Sequence, residues 1–174
     1  MMSLNRPNSE QQTKATTPKK KSQNPFVMDI DSLSMITEEI VLTKRNCILF
    51  VSAPYCKLCR ALNPQYTRMA RIYTEKAKAD KEMIDDDDHN QLVFAKVSSG
   101  GKEGKQITFS LQVDSVPTFI LFRNGERYGD AFGATKLPSK KLDLAIEYLM
   151  SGKDWDTDVF QDDKDMADQR TKIQ

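Results

Sequence analysis

The stretch CILFVSAPYCKLCRALNP, residues 47–64, decides how this chain is read. Its first seven residues are almost unbroken apolar, the mark of a central strand buried on both faces. From residue 59 the apolar spacing turns helical, with Leu62, Tyr66, Met69 and Tyr73 on one stripe. Cys56 and Cys59 stand three apart where strand hands over to helix. Residues i and i+3 share a face of the first helical turn, so their sulfurs reach bonding distance with little backbone movement. A helix N-terminus also offers free N–H groups and a partial positive charge. Both stabilise a thiolate on Cys56 and lower its pKa below the ordinary value of about 8.5. Lys57 adds a second positive charge. Cys59, one turn further in, is expected to be less exposed and to serve as the resolving thiol.

Outward from this junction the apolar period alternates between two values. FVMDI (26–30) reads as a short strand and residues 32–44 as a helix capped within Asp31–Ser34. The long helix over 59–79 is followed by a strand, QLVFAKV (91–97), and a helix over 103–111. TFILF (118–122), the turn RNGE and RYGDAF (127–132) form a hairpin of the kind Asn-Gly favours. Residues 138–150, opened by Pro138 and Ser139, make a last helix. The order βαβαβαββα predicts an α/β domain, a mixed central sheet with helices on both faces.

Length and composition set the outer bounds. At 174 residues the chain is one domain's worth, able to bury a core without staples. A net charge of +1 argues against a nucleic-acid-seeking polycation. No apolar run approaches the roughly 18 residues of a membrane helix. Three cysteines do not make a disulfide scaffold. Charge is concentrated at the ends. Residues 1–25 carry Arg6, Lys14, Lys19, Lys20 and Lys21 against Glu10 and read as a disordered basic tail. They contain no apolar h-region of a secretory signal. Residues 26–150 are the domain, and 151–174, with seven Asp, read as a flexible acidic tail. The expected compartment is the cytoplasm, or the chloroplast stroma or another organelle if the first segment is the remnant of a transit peptide.

APYCKLC resembles the active-site motif of thioredoxins, in which an aromatic, here Tyr55, precedes the first cysteine. Pro64 stands where that family kinks the helix, FAKV (94–97) is similar to its third strand, and VPTFILFRNGE (116–126) resembles the segment holding its cis-proline. The resemblance covers about residues 26–150. It implies a thioredoxin fold in which Pro117 is cis and faces Cys56. It further implies a protein-disulfide substrate that pairs main chain to main chain with Val116–Pro117, an almost sequence-blind mode of recognition. Tyr55 and Gly133 would border that substrate site. The upstream donor would be a dithiol reductase or glutathione, with no cofactor beyond the Cys56–Cys59 disulfide. A monomer, no nucleic acid and no membrane complete the implied partners.

Three departures stand out. Lys57-Leu58 replaces the usual Gly-Pro. Phe50 stands where thioredoxins keep a buried aspartate, so Lys96, at the position of its lysine partner, is expected to lack a carboxylate. TEKAKADKEMIDDDDHNQ, before the third strand, is longer than in a minimal member. Plainer readings accompany these sites. A zinc site at Cys56 and Cys59 would have only Cys47 and His89 to complete it. Cys47 reads as a small core hydrophobe, His89 as a solvated loop residue, and Gly133 as a close approach of chain to chain. Trp155 and Phe160 are expected in the flexible tail rather than docked. Two function classes follow: a dithiol enzyme, and a non-catalytic adaptor or redox sensor on the same fold.

Lys57 and the flexible Leu58 turn favour the reduced form, the first by stabilising the thiolate and the second by preorganising the disulfide less well. We therefore expect a reduction potential above the roughly −270 mV of thioredoxin and below the roughly −120 mV of strong periplasmic oxidants. Equilibration in dithiothreitol and glutathione buffers checks this, and a midpoint at or below thioredoxin's contradicts it.

Overall fold

The computed structural model describes residues 24–81, 91–158, 160 and 171–172. A five-stranded mixed sheet forms its centre, in the order β1-β3-β2-β5-β6. β1 (Met28–Ile30), β2 (Asn46–Ser52) and β3 (Leu92–Ser98) run parallel, with β2 in the middle. β5 (Thr118–Arg123) lies antiparallel to β2, and β6 (Glu126–Phe132) closes the hairpin. The helices are α1 (Leu33–Ile36), which continues as a π-helical stretch Thr37–Val41, then α2 (Lys57–Lys81), α3 (Gly101–Ser110) and α4 (Lys140–Ser151). Two short strands lie apart from the main sheet. β4 (Ser115–Val116) pairs with β7 (Thr171–Lys172), and neither was expected.

β2 is central because its apolar run can be buried on both faces: Cys47, Ile48, Leu49, Phe50 and Val51 are all fully buried. Directly opposed residues share a face of a sheet, so the ladder sets Asp29, Lys96, Phe50, Phe119 and Phe132 in one row. That row runs from charged at the β1 edge to aromatic at the centre. Phe50 and Phe119 stack at 5.1 Å, and the buried Tyr66 of α2 leans on both. The Tyr66 Oη lies 2.7 Å from the Ile48 carbonyl and 3.0 Å from that of Ala95. This hydroxyl pins α2 across β2 and β3. Burial pushes the Tyr66 pKa well up, so the phenol stays a neutral donor.

Local chemistry ends the elements where expected. Asn124 and Gly125 both take positive φ, as a two-residue hairpin turn demands. The turn is clamped onto the start of β2, with Asn124 N donating to Asn46 Oδ1 at 2.9 Å and Gly125 N to the Arg45 carbonyl at 3.1 Å. Ser139 Oγ accepts from Leu142 N and caps α4. α2 begins at Lys57 rather than 59, directly after Cys56. It runs through Lys81, so the start of the long insertion is helix; residues 82–90, including His89, lie outside the described residues.

The first part of the acidic tail is not a flexible extension. Trp155 stacks on Phe160 at 3.9 Å and meets Tyr128 edge-on at 5.5 Å, while Phe160 is buried against Tyr148. The Lys153 carbonyl accepts from Tyr128 Oη at 2.6 Å and from the Arg123 guanidinium, which itself lies over the Tyr128 ring. Two aromatic side chains outweigh the solvated aspartates around them, so the packed body extends to Phe160. Its seat is Gly129, at φ +69°, where a Cβ would fall inside the Trp155 ring. Gly129→Ala should therefore expel Trp155 and destabilise the fold by about 1–3 kcal/mol. Trp155 is the chain's only tryptophan, so a red shift of its fluorescence in the folded variant reports the expulsion. An unshifted spectrum and unchanged stability would contradict the docking.

Candidate active site

Cys56 occupies the N-cap position of α2, and its sulfur is bonded to Cys59, with Cα atoms 5.2 Å apart. The Cys59 N–H donates to Cys56 Sγ at 3.0 Å, and the Arg60 N–H to the Cys56 carbonyl at 3.2 Å. One of the free donors at a helix N-terminus is thus aimed at the first sulfur, the arrangement that favours a thiolate there once the bond is reduced. Lys57 and the half-exposed Tyr55 flank it on the surface. The expected contrast in exposure between the two cysteines is not found. Cys56 is 1% and Cys59 2% exposed, because both belong to the core cluster while joined to each other.

The Val116–Pro117 bond is cis, as the resemblance implies, and so is Leu137–Pro138, which the sequence reading missed. Val51 opposes Thr118 in the ladder, so Pro117 lies at the end of β2 that leads into Cys56. Gly133 is buried just past β6. Cys47 is fully buried in β2, and burial pushes its thiol far above the ordinary range. It packs as a small residue of the core cluster, the place expected of it.

Lys96 corrects the sequence reading. Its Nζ lies 3.4 Å from Asp29 Oδ1, so it has a carboxylate, supplied by β1 instead of β2. The register explains why: Lys96 lies between Asp29 and Phe50 as cross-strand neighbours, so its carboxylate comes from the edge strand. The pair is partly solvated and contributes roughly 0–1 kcal/mol. Its position matters more than its strength. A cavity of about 610 Å³ is lined by Asp29 and Lys96 on one side and by Cys59, Arg60 and Asn63 on another. Asp31 and Glu103 also face it. Asp29 was missed because one sequence does not show that β1 lies beside β3.

A cysteine pair at a helix N-terminus, ending the central strand of a mixed sheet and set near a cis-proline, is the layout that the resemblance to thioredoxins implies. The comparisons agree. The sequence model of the thioredoxin family matches residues 34–146, and the chain belongs to that family. It is 31% identical over 86 residues to the thioredoxin domain-containing protein 5 homolog of Drosophila melanogaster, covering 49% of this chain and 18% of that protein. It is 28% identical over 97 residues to a protein disulfide-isomerase of Hordeum vulgare, covering 56% of this chain and 16% of that one. The chain thus spans less than a fifth of the length of either relative. Oxidised thioredoxin O2 from Arabidopsis thaliana superposes with a TM-score of 0.55 at 14% identity, over 74% of this chain and 97% of that structure, and so shares the fold.

Two substitutions separate the reactive from the packed positions. Cys47→Ala should keep full disulfide exchange and lower stability by about 1 kcal/mol through a small void. Phe50→Asp removes a ring from the aromatic cluster and puts a carboxylate there beside Lys96, and should destabilise by about 3–5 kcal/mol through the lost packing. Denaturant titration with a parallel activity assay reads both. Loss of activity in folded Cys47→Ala, or a stable Phe50→Asp, would contradict the assignment.

Proposed function

We propose that this protein is a thiol–disulfide oxidoreductase that reduces protein disulfides, with Cys56 as nucleophile and Cys59 as resolving thiol. The observation that carries the reading is the Cys59 N–H directed at Cys56 Sγ from the first turn of α2. The Cys56 thiolate attacks one sulfur of the target disulfide, forms a mixed disulfide and expels the first target thiolate. Cys59 then loses its proton and attacks Cys56 Sγ. The 56–59 bond forms, the second target thiolate leaves, and two electrons have passed to the target. An upstream dithiol reductase, or two molecules of glutathione, supplies the two thiols that return the protein to its reduced form, and no other redox group takes part. Target main chain pairs with the edge at Val116, beside Pro117, with Tyr55 and Gly133 bordering it. The protein acts as a monomer in the cytoplasm or an organelle stroma. Among the described residues no helix is long and apolar enough to cross a membrane.

The second step needs an acceptor for the Cys59 proton. Asp29 supports that role, since its carboxylate and Cys59 line the same cavity and a water there could relay the proton. Lys96 would hold the carboxylate in place.

Stopped-flow reaction of the reduced protein with the chromogenic disulfide DTNB separates the two steps as two releases of coloured thiolate. Cys56→Ser should abolish both releases, and Cys59→Ser should keep only the first and accumulate mixed disulfides with protein targets. Asp29→Asn should slow the second release by roughly tenfold near neutral pH and leave the first unchanged. Equal slowing of both phases would reduce Asp29 to a structural residue. Trapping by Cys56→Ser instead of Cys59→Ser would reverse the thiol roles, and full exchange without either cysteine would leave only the adaptor reading.

A further inference from the structure

β4 is two residues long and forms no part of the main sheet, yet its edge is taken. β7 lies along it antiparallel, with Ser115 opposite Lys172 and Val116 opposite Thr171. Val116 immediately precedes cis-Pro117, so β7 occupies the main-chain edge to which the proposed function assigns the protein substrate. We infer that the C-terminal strand is an internal occupant of this edge, which a protein substrate must displace. The inference rests on that reading of the substrate edge.

Three observations support it. A strand edge pairs with one partner strand at a time, so β7 and an extended substrate exclude each other. Cys56, which a substrate disulfide has to reach, is 1% exposed in the oxidised protein. Finally, the occupant is tethered. Phe160 is anchored by its stack on Trp155, and eleven residue steps separate it from Thr171. Such a chain reaches at most about 36–40 Å when extended, enough to cross a domain of this size. Covalent linkage within such a reach gives an effective concentration of about millimolar, so even a two-residue ladder competes with dilute substrate. The pairing is between main chains, so it acts alike on targets of different sequence. A small disulfide such as DTNB needs no strand and escapes it.

The test is a full-length Thr171→Pro, Lys172→Pro variant, which removes both N–H donors of β7. Its kcat/KM for insulin reduction should rise roughly three- to tenfold, mainly through KM, with the first DTNB phase unchanged. A Thr171→Ala, Lys172→Ala variant keeps the main-chain donors and should behave like the original protein. The peptide ADQRTKIQ, residues 167–174, added at about millimolar concentration, should return the proline variant to the lower rate. An unchanged insulin rate in the proline variant would overturn the inference. So would an equal rise with insulin and DTNB, which would make the tail a shield over Cys56 and not an occupant of the edge. If no variant reduces insulin while the DTNB phases persist, the protein-disulfide reading itself fails, and the inference falls with it.

Discussion

One hydrogen bond organises the chemistry of this protein: the Cys59 amide donating to Cys56 Sγ at 3.0 Å across the first turn of α2. It exists because the helix starts at Lys57, which leaves the Cys59 N–H without an intrahelical acceptor and puts Cys56 at the cap. The rest of the fold keeps that turn in place. β2, buried along its length, fixes where the strand ends, and Tyr66, three turns into the same helix, is held against the carbonyls of β2 and β3. Strand, turn and helix are thus tied at both ends of the reactive segment.

The same sheet shows what this member of the family does differently. The row Asp29, Lys96, Phe50, Phe119, Phe132 places its charges at the β1 side and its aromatics across the middle. An aromatic at Phe50 packs onto Phe119 and Tyr66 and avoids the large desolvation penalty of a carboxylate at that depth. The carboxylate is instead at the edge of the cavity beside Cys59, where water can reach it. Packing at Phe50 and the carboxylate partner of Lys96 thus fall to two positions of one ladder, and the proposed proton acceptor is the second.

Much of this was legible in the residues. The period change at 47–64, the i,i+3 cysteines and the Asn-Gly turn each carry a local physical cause, and each lies where that cause put it. The cis bond at Pro117 came from family resemblance, since nothing in the dipeptide Val-Pro alone demands it. The rest depended on neighbours distant in the chain. Lys96 was read as unpaired because its partner lies on a strand whose place in the sheet order no local pattern announces. Trp155 and Phe160 were read as tail because their surroundings are acidic, and the space over Gly129 that receives them exists only once β6 is folded. The low exposure of Cys56 and the pairing of β4 with β7 belong to the same class: they are tertiary facts.

The central claim is that the start of α2 turns Cys56 into a thiolate at neutral pH. It is tested most directly by the thiolate absorbance near 240 nm of the fully reduced protein, followed across pH. Cys47 does not interfere, because burial keeps its thiol protonated throughout the range. The account predicts one transition well below the ordinary thiol value of about 8.5, present in Cys47→Ala and absent in Cys56→Ser. A first transition at or above about 8.5, or an early one that survives Cys56→Ser, would contradict it.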